Sequence, residues 1–311
     1  DHHPRATDHI PEMLAMIQRL VDKGYAYAVN QAVYFDITKF PAYGRLSGNT
    51  VEQLQAGARV EVHKDKRHPM DFALWKHDPK HLMQWDSPWG KGFPGWHIEC
   101  SAMSQKYLGE TFDIHTGGED NIFPHHECEI AQSECANDKP FVRMWCHARF
   151  LLVDNQKMSK SAGNFFTVRD VLEKGHSARV LRYALVREHY RKPLNFTFEG
   201  LEAAKKELQR LEDFRVRLDS LPAQGIPPAE LKARLQAARA RMEAALDDDL
   251  NLPDFRGALF ELVNEVNRLL DEGKLDAASV AEARDRLAVF ERITGVPLRE
   301  ERGLAPEEQA L

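Results

Sequence analysis

A thiol, an imidazole and a carboxylate occur close together near the middle of the chain. Cys100 falls in one predicted helix, and His125 and Glu129 lie four positions apart in the next, on one helical face. All three side-chain types are zinc ligands, and such a set leaves a fourth tetrahedral position open. A buried free thiol beside helix-surface residues would give the same pattern. The rival ligands on these segments are His97, Glu99, His126 and Cys128.

Two lysines bracket a serine in a second candidate site, a short loop that contains a glycine. The run reads Lys157-Met158-Ser159-Lys160-Ser161-Ala162-Gly163-Asn164. Paired ammonium groups suit the charge on a phosphate that is being transferred or released, and hydroxyls and backbone amides add donors. On composition alone a solvated basic turn is the simpler interpretation, because short loops of lysine and serine are common.

The third candidate is the segment from His115 to Asp120, which follows a predicted strand. Gly117 and Gly118 would let a ligand approach the backbone, and His115 would face that space. The alternative is a plain turn with a core histidine. Trp96 is the tryptophan that we expect beside a pocket. The others in this region are expected in cores: Trp75, Trp85 and Trp89.

The elements that must position these residues alternate between strand and helix in the first half of the chain. Hydrophobic spacing and breakers predict each of them, and residues 38–92 are expected to be largely irregular. A strand, a glycine turn and a helix in sequence are typical of a nucleotide-binding α/β sheet. The predicted elements are helix 11–23, strands 25–27 and 33–37, helix 95–108, strand 111–115 and helix 124–136.

The second half of the chain is predicted to be almost entirely helical. A helix over 169–190 carries several arginines that would suit phosphate contacts, although a solvated basic face explains them equally well. The apolar stripe that begins at Leu259 predicts an antiparallel bundle. The predicted bundle helices are 200–221, 228–247, 254–272 and 276–294.

Charge and composition exclude several classes of protein. The net charge is −6, which argues against a non-specific nucleic-acid binder but not against a local basic patch. Four cysteines suit a reducing cytoplasm, and no apolar run reaches the roughly 20 residues that span a bilayer. We therefore expect a cytoplasmic protein without a membrane partner. The chain begins at Asp1 without a methionine, and we expect it to be part of a longer protein.

Several blocks of the sequence, taken together, resemble the cysteinyl-tRNA synthetase family of class I aminoacyl-tRNA synthetases. Residues 157–161 read K-M-S-K-S, the second signature of class I. Residues 95–104 read G-W-H-I-E-C-S-A-M-S, and residues 123–132 read F-P-H-H-E-C-E-I-A-Q. The signature alone indicates only class I, whereas these two blocks in this order are specific to the cysteine branch and its close relatives. The similarity runs from about residue 4 to residue 295.

The resemblance implies an activity and a set of site residues. The family activates cysteine with ATP and Mg²⁺ to cysteinyl-adenylate and transfers it to tRNA(Cys), while a zinc ion binds the substrate thiolate. We expect a monomer with cysteine, ATP and tRNA(Cys) as partners. The matching residues are Cys100, His125 and Glu129 as metal ligands, Trp96 and His115 in the cysteine pocket, and Lys157, Ser159 and Lys160 as catalytic residues, with Lys160 also binding ATP.

The chain departs from the family pattern at both ends. The first class I signature, H-I-G-H, is absent, and so is the cysteine before it that would be the fourth zinc ligand. Three ligands would bind zinc more weakly than four. Half a parallel sheet would also expose a central strand as an edge. The anticodon-recognition region is expected to begin near Gly303 and then stop.

The expected fold class is α/β: the second half of a Rossmann-type catalytic domain with an inserted α+β connective segment, followed by an α-helical bundle. Two other functions remain open: a ligase that joins activated cysteine to an amino sugar, and an inactive chain that binds tRNA or zinc. The expected domains are the insertion 1–92, the second catalytic half with the zinc site 93–145, the K-M-S-K-S-bearing connecting domain 146–198, the tRNA-facing bundle 199–296 and the start of a C-terminal region 297–311.

Overall fold

The computed structural model describes residues 1–50, 53, 64–159, 161, 163–220 and 225–298. The chain divides into two units, Asp1–Ala148 and Arg149–Leu311. Each unit is described by itself below. No helix in the described part of the chain is both long enough and apolar enough to cross a membrane.

The first unit begins with a helix packed on a small antiparallel sheet. Helix α1 spans Ile10–Asp22, with Pro11 in its first turn, and buries one apolar face. The sheet has the order β1-β2-β3-β4. Its strands are β1 (Ala26–Val29), β2 (Ala32–Phe35), β3 (Phe72–Lys76) and β4 (Phe93–Pro94).

Strand β3 is a regular element within residues 38–92, which the sequence analysis expected to be largely irregular. It pairs with β2 and β4, and Leu74 and Trp75 on it are fully buried. They share one hydrophobic core with α1 and with helices that follow residue 93. Residues on both sides of position 92 contribute to this core. The domain boundary between the insertion 1–92 and the second catalytic half 93–145 stays a prediction.

Two helices and a pair of parallel strands complete the first unit. Helix α2 spans Trp96–Leu108 and helix α3 spans Glu127–Asn137. Strands β5 (Phe112–Gly118) and β6 (Val142–Ala148) pair in parallel, with Ile114 opposite Met144. Both of these side chains are exposed, although parallel sheets are normally covered on both faces.

The second unit begins with a three-stranded sheet in the order β8-β7-β9. The strands are β7 (Leu151–Val153), β8 (Gln156–Lys157) and β9 (Leu194–Phe196). Asp154 and Asn155 both have positive φ, +48° and +62°, which is the backbone of a tight hairpin between β7 and β8. This hairpin leads directly into the lysine-serine loop.

The helix predicted over 169–190 is two helices. Helix α4 spans Val168–Glu173 and helix α5 spans Ala178–Val186. Gly175 has a φ of +87° between them, and the Ser177 side chain caps α5 by accepting from the amide of Val180. The prediction of one continuous helix was wrong because the glycine and the cap end one helix and start another.

Four long helices follow and enclose the core of the second unit. Residues such as Leu208, Phe255, Leu259 and Phe290 are buried at 0–1% exposure in this core. The helices agree closely with those predicted from periodicity. They are α6 (Phe198–Ser220), α7 (Leu231–Asp247), α8 (Leu252–Asp271) and α9 (Ala277–Thr294).

Candidate functional site

The structure brings Cys100, His125 and Glu129 together. Their ligand atoms all lie within 4.8 Å of one another, with Glu129 fully buried and His125 nearly so. Helix α2 supplies Cys100, and α3 supplies Glu129. His125 comes from the kinked segment Ile122–His126 that leads into α3. His125 and Glu129 therefore lie side by side, as their four-residue spacing predicted, although the segment is not a regular α-helix throughout.

His125 and Glu129 bring two potential metal-ligand atoms into contact. Nε2 of His125 lies 2.6 Å from Oε1 of Glu129. Even so, Oε1 is buried and has no hydrogen-bond partner among the described residues. Buried carboxylate oxygens normally have a partner, and a cation coordinated by both side chains would supply one. The residues present thus fit a zinc ion.

The protonation states of this cluster show what a bound cation would have to change. Burial, followed by the nearby negative charge of Glu129, raises the pKa of the Cys100 thiol to about 12. Burial also opposes ionisation of Glu129, but the imidazoles of His115 and His125 outweigh it and lower the pKa of Glu129 to about 2. A thiol of this kind stays protonated unless a bound cation stabilises the thiolate.

His115 lies on the other side of the same carboxylate. Its Nε2 is 2.6 Å from Oε2 of Glu129 in a hydrogen bond, and its ring stacks on Trp145 at 4.6 Å. His115, His126 and Glu129 form a second group of converging ligand atoms. In that group His115 bonds Glu129, and Nδ1 of His126 lies 2.8 Å from Nε2 of His147. Because ligand atoms of this second group already have these hydrogen-bond partners, the set with Cys100 is the better candidate for a metal site.

Gly117 allows the histidines to pack against strand β5. A Cβ atom at this position would lie 2.5 Å from Cε1 of the His126 ring. Any larger residue would push His126 away from the strand. The first glycine of the pair that the sequence analysis noted thus allows close packing of an imidazole.

His97, which the sequence analysis counted only as a rival ligand, contacts the other ring nitrogen of His125. Its Nδ1 lies 2.7 Å from Nδ1 of His125, on the side of that ring away from Glu129. Burial, followed by the neighbouring His125, lowers the pKa of His97 to about 4, so its ring is neutral at pH 7. If Nε2 of His125 binds a metal, its Nδ1–H must donate and His97 must accept.

Cys128, another rival ligand, has a different partner, and Trp96 lies beside the cluster. Cys128 is buried, and its Sγ contacts the Tyr43 hydroxyl at 3.3 Å. Trp96 stands over the cluster with its ring centroid 4.3 Å from that of His125. It remains 57% exposed, so one face of the indole is open to a ligand. Trp75, in contrast, is fully buried, as expected for a core residue.

In the second unit, the signature loop, which is the lysine-serine loop of residues 157–164, is closed by a side chain to which the sequence analysis gave no role. Asn164 donates from Nδ2 to the Lys157 carbonyl at 3.2 Å and accepts from the Ser159 amide at 2.9 Å. Nζ of Lys157 lies 4.7 Å from the centroid of the Phe150 ring. Lys160 falls outside the described residues. The arrangement holds Lys157 and Ser159 in one short loop.

The arginines proposed as phosphate contacts are engaged within the second unit. Arg179 pairs with Glu212, and Arg191 pairs with Asp249. Arg182 donates to the Thr294 carbonyl at 2.7 Å. A phosphate would therefore have to compete with these partners, and the two interpretations of the arginines stay predictions.

Comparisons with known proteins agree with these features. Residues 1–206 match the family model described as "tRNA synthetases class I (C) catalytic domain", and residues 241–299 match the DALR domain. The chain is 50% identical over 291 residues to a cysteine–tRNA ligase of Geobacter sulfurreducens, covering 92% of this chain and 60% of the relative. It is 49% identical to one of Thermus thermophilus, covering 90% and 58%. The chain thus spans about 60% of the length of these relatives.

Solved structures show the same fold at low sequence identity. A structure described as a putative arginyl-tRNA synthetase of Campylobacter jejuni aligns with a TM-score of 0.59 and 12% identity, covering 96% of this chain and 64% of the other. A leucyl-tRNA synthetase complex of Agrobacterium radiobacter aligns with a TM-score of 0.51 and 18% identity, covering 70% and 33%. The expected α/β catalytic fold with a helical C-terminal part is confirmed.

Proposed function

We propose, from the premise that this chain belongs to the class I (C) family of tRNA synthetases, that it serves as a cysteine–tRNA ligase. It would use ATP with Mg²⁺ to convert cysteine to cysteinyl-adenylate and then transfer the cysteinyl group to tRNA(Cys). The observation that carries this proposal is the convergence of Cys100, His125 and Glu129 beneath an exposed Trp96. We also propose that the protein acts as a monomer in the cytoplasm, which its free cysteines suit.

The metal cluster and the two residues beside it, His115 and Trp96, would together select cysteine. A zinc ion held by Cys100, His125 and Glu129 would supply a Lewis acid that prefers a thiolate to an alcohol. That preference matters because an apolar pocket separates the nearly isosteric cysteine and serine poorly. The hydrogen bond from His115 fixes the orientation of Glu129. Trp96 walls the open side of the site and excludes water from it.

The signature loop would act on the phosphates of ATP. Lys157 and Lys160 carry the positive charge that suits the developing charge on the leaving pyrophosphate, and Ser159 adds a hydroxyl donor. Asn164 keeps the loop closed through its two hydrogen bonds. Binding and orientation of the triphosphate are the tasks that these side chains perform.

Cysteine-dependent exchange of pyrophosphate into ATP tests the proposal, with zinc content measured on the same sample. If the parent protein is active, Cys100→Ser should lower both the zinc content and the rate of pyrophosphate exchange. Cys146→Ser is the matched control, because Cys146 is also a half-buried free thiol but lies outside the ligand set. Normal zinc and normal exchange in Cys100→Ser would refute the ligand assignment.

The other functions predict different outcomes in the same assays. Lys160→Ala should slow adenylate formation and leave zinc binding unchanged. Charging of tRNA separates the tRNA ligase from a ligase that joins cysteine to an amino sugar. Absence of exchange in the parent, with tRNA or zinc still bound, would favour the inactive binding chain. Gel filtration with mass determination tests the monomer.

A further inference from the structure

The turn between α7 and α8 is a feature that the proposed function leaves unused. Its sequence is Asp248-Asp249-Leu250-Asn251. Asp249 and Leu250 are consecutive non-glycine residues with φ of +54° and +57°. Asn251 caps α8 by accepting from the Asp254 amide. Left-handed backbone at a bulky residue such as Leu250 is unusual, and such backbone clusters at positions with a special task.

Asp249 holds the segment that follows helix α5. The Tyr190 hydroxyl donates to Oδ1 of Asp249 at 2.5 Å, and Nε of Arg191 donates to Oδ2. The Arg191 guanidinium also lies 5.3 Å from the centroid of the Tyr190 ring. Both carboxylate oxygens are therefore occupied by donors from two successive residues. This pattern fixes Tyr190 and Arg191 against the turn.

Tyr190 is joined in turn to the residues that precede the hairpin. The Arg149 amide donates to the Tyr190 carbonyl at 2.8 Å. The Leu194 amide donates to the Phe150 carbonyl at 3.2 Å, just before β9 pairs in parallel with β7. Residues 149 and 150 thus take their position from the segment that Asp249 holds.

Phe150 then supports the first lysine of the signature loop. Nζ of Lys157 lies over the Phe150 ring, as described above. The Lys157 carbonyl is fixed separately by Asn164. A shift of Phe150 would move the ammonium group and leave the closure of the loop intact.

We propose that Asp249 is a positioning residue for the signature loop. It acts through Tyr190 and Phe150 to place the Lys157 ammonium group, and it does not touch the substrate itself. The inference rests on the proposed function for the role of Lys157 with ATP. The placement of the loop by Asp249 stands on the contacts alone.

The competing explanation is an ordinary exposed ion pair. The side chains of Arg191 and Asp249 are 64% and 42% exposed, and such pairs often contribute little. Arg239 and Glu243 on α7 form an ion pair of similar exposure, 52% and 56%, at 2.8 Å. Glu243→Gln is therefore a matched control that removes a similar pair from the same bundle.

Hydrogen–deuterium exchange at the Arg149 and Leu194 amides tests the placement without any need for activity. Asp249→Asn and Tyr190→Phe should each speed exchange at these amides about two- to fivefold, whereas Glu243→Gln should not. Unchanged exchange at both amides in a folded Asp249→Asn protein would overturn the proposal. Equal acceleration by Glu243→Gln would also overturn it, since the effect would then be general to the bundle.

Pyrophosphate exchange by the full-length protein tests the consequence for the reaction. Asp249→Asn should raise the KM for ATP severalfold more than it lowers kcat, because the lysine is displaced and not removed. In a Lys157→Ala background, Asp249→Asn should have little further effect on KM. An equally large effect in that background would overturn the link through Lys157. An inactive parent would refute the proposed function, and the amide exchange would still decide whether Asp249 holds residues 149 and 150 in place.

Discussion

Replacing His97 with alanine should weaken zinc binding about 10- to 100-fold, although His97 is not a ligand. The replacement removes the group that faces Nδ1 of His125 at 2.7 Å. Without it, the His125 ring can rotate or take the wrong tautomer. The population of His125 that presents a free Nε2 to the metal therefore falls.

The expected size follows from the surroundings of His125. A neutral hydrogen bond contributes about 0.5–1.5 kcal/mol, whereas removing one partner and leaving a buried donor unpaired costs about 1–3 kcal/mol. His125 is only 5% exposed, so water cannot easily replace His97. A loss of about 1.5–3 kcal/mol corresponds to roughly a 10- to 100-fold change in affinity.

Competition with a chromophoric zinc chelator measures this change, and circular dichroism of the metal-free protein shows whether the fold is kept. His97→Asn should restore much of the affinity, because the amide oxygen can occupy the place of the accepting Nδ1. His77→Ala is the control, since His77 is exposed and bonds only the Lys91 carbonyl among the described residues.

The result that refutes the reasoning is specific. Zinc affinity of His97→Ala equal to that of the parent, with weakened binding in Cys100→Ser, would leave the ligands correct and remove the role of His97. Unchanged affinity in both variants would mean that the ligand set itself is wrong. Failure of His97→Asn to rescue would indicate that packing of the imidazole, and not its acceptor atom, supports His125.

Three further predictions concern the second unit. Glu207 accepts from the Tyr183 hydroxyl at 2.8 Å and lies near two arginines, so Glu207→Gln should lower the free energy of unfolding in urea by about 1–3 kcal/mol. The same change at Glu265, whose ion pair with Arg234 is more exposed, should lower it by less than about 1 kcal/mol. Leu259→Ala in the fully buried bundle core should cost about 2–5 kcal/mol, and Val216→Ala on the surface should change little; equal effects would place the core elsewhere. Hydrogen bonds from the hydroxyl and the amide of Ser279 lower the pKa of Asp276 below its ordinary value of 3.8. The stability that Asp276 contributes is therefore present above pH 3.8 and is lost as the pH falls through the pKa of the folded state. Asp276→Asn should flatten the acid limb of stability against pH, and an unchanged limb would contradict this.

The four bundle helices could be predicted from the sequence because their signals are local. The predicted ranges 254–272 and 276–294 compare with Leu252–Asp271 and Ala277–Thr294 in the structure. An apolar stripe of period 3.6, a capping Asn251 or Asp276 and a breaking Gly273 act within a few residues of one another. The same holds for the strand, glycine and helix around Gly117.

The identity and arrangement of the site needed the tertiary structure. Sequence spacing proposed Cys100, His125 and Glu129 but could not separate His97 from His125, since both are histidines near the same elements. Only packing of α2 against the segment before α3 shows that one ring faces Glu129 and the other lies behind it. The contacts of Asp249 with Tyr190 and Arg191 join residues nearly sixty positions apart. Such contacts are set by the assembled fold, and no local pattern in the sequence encodes them.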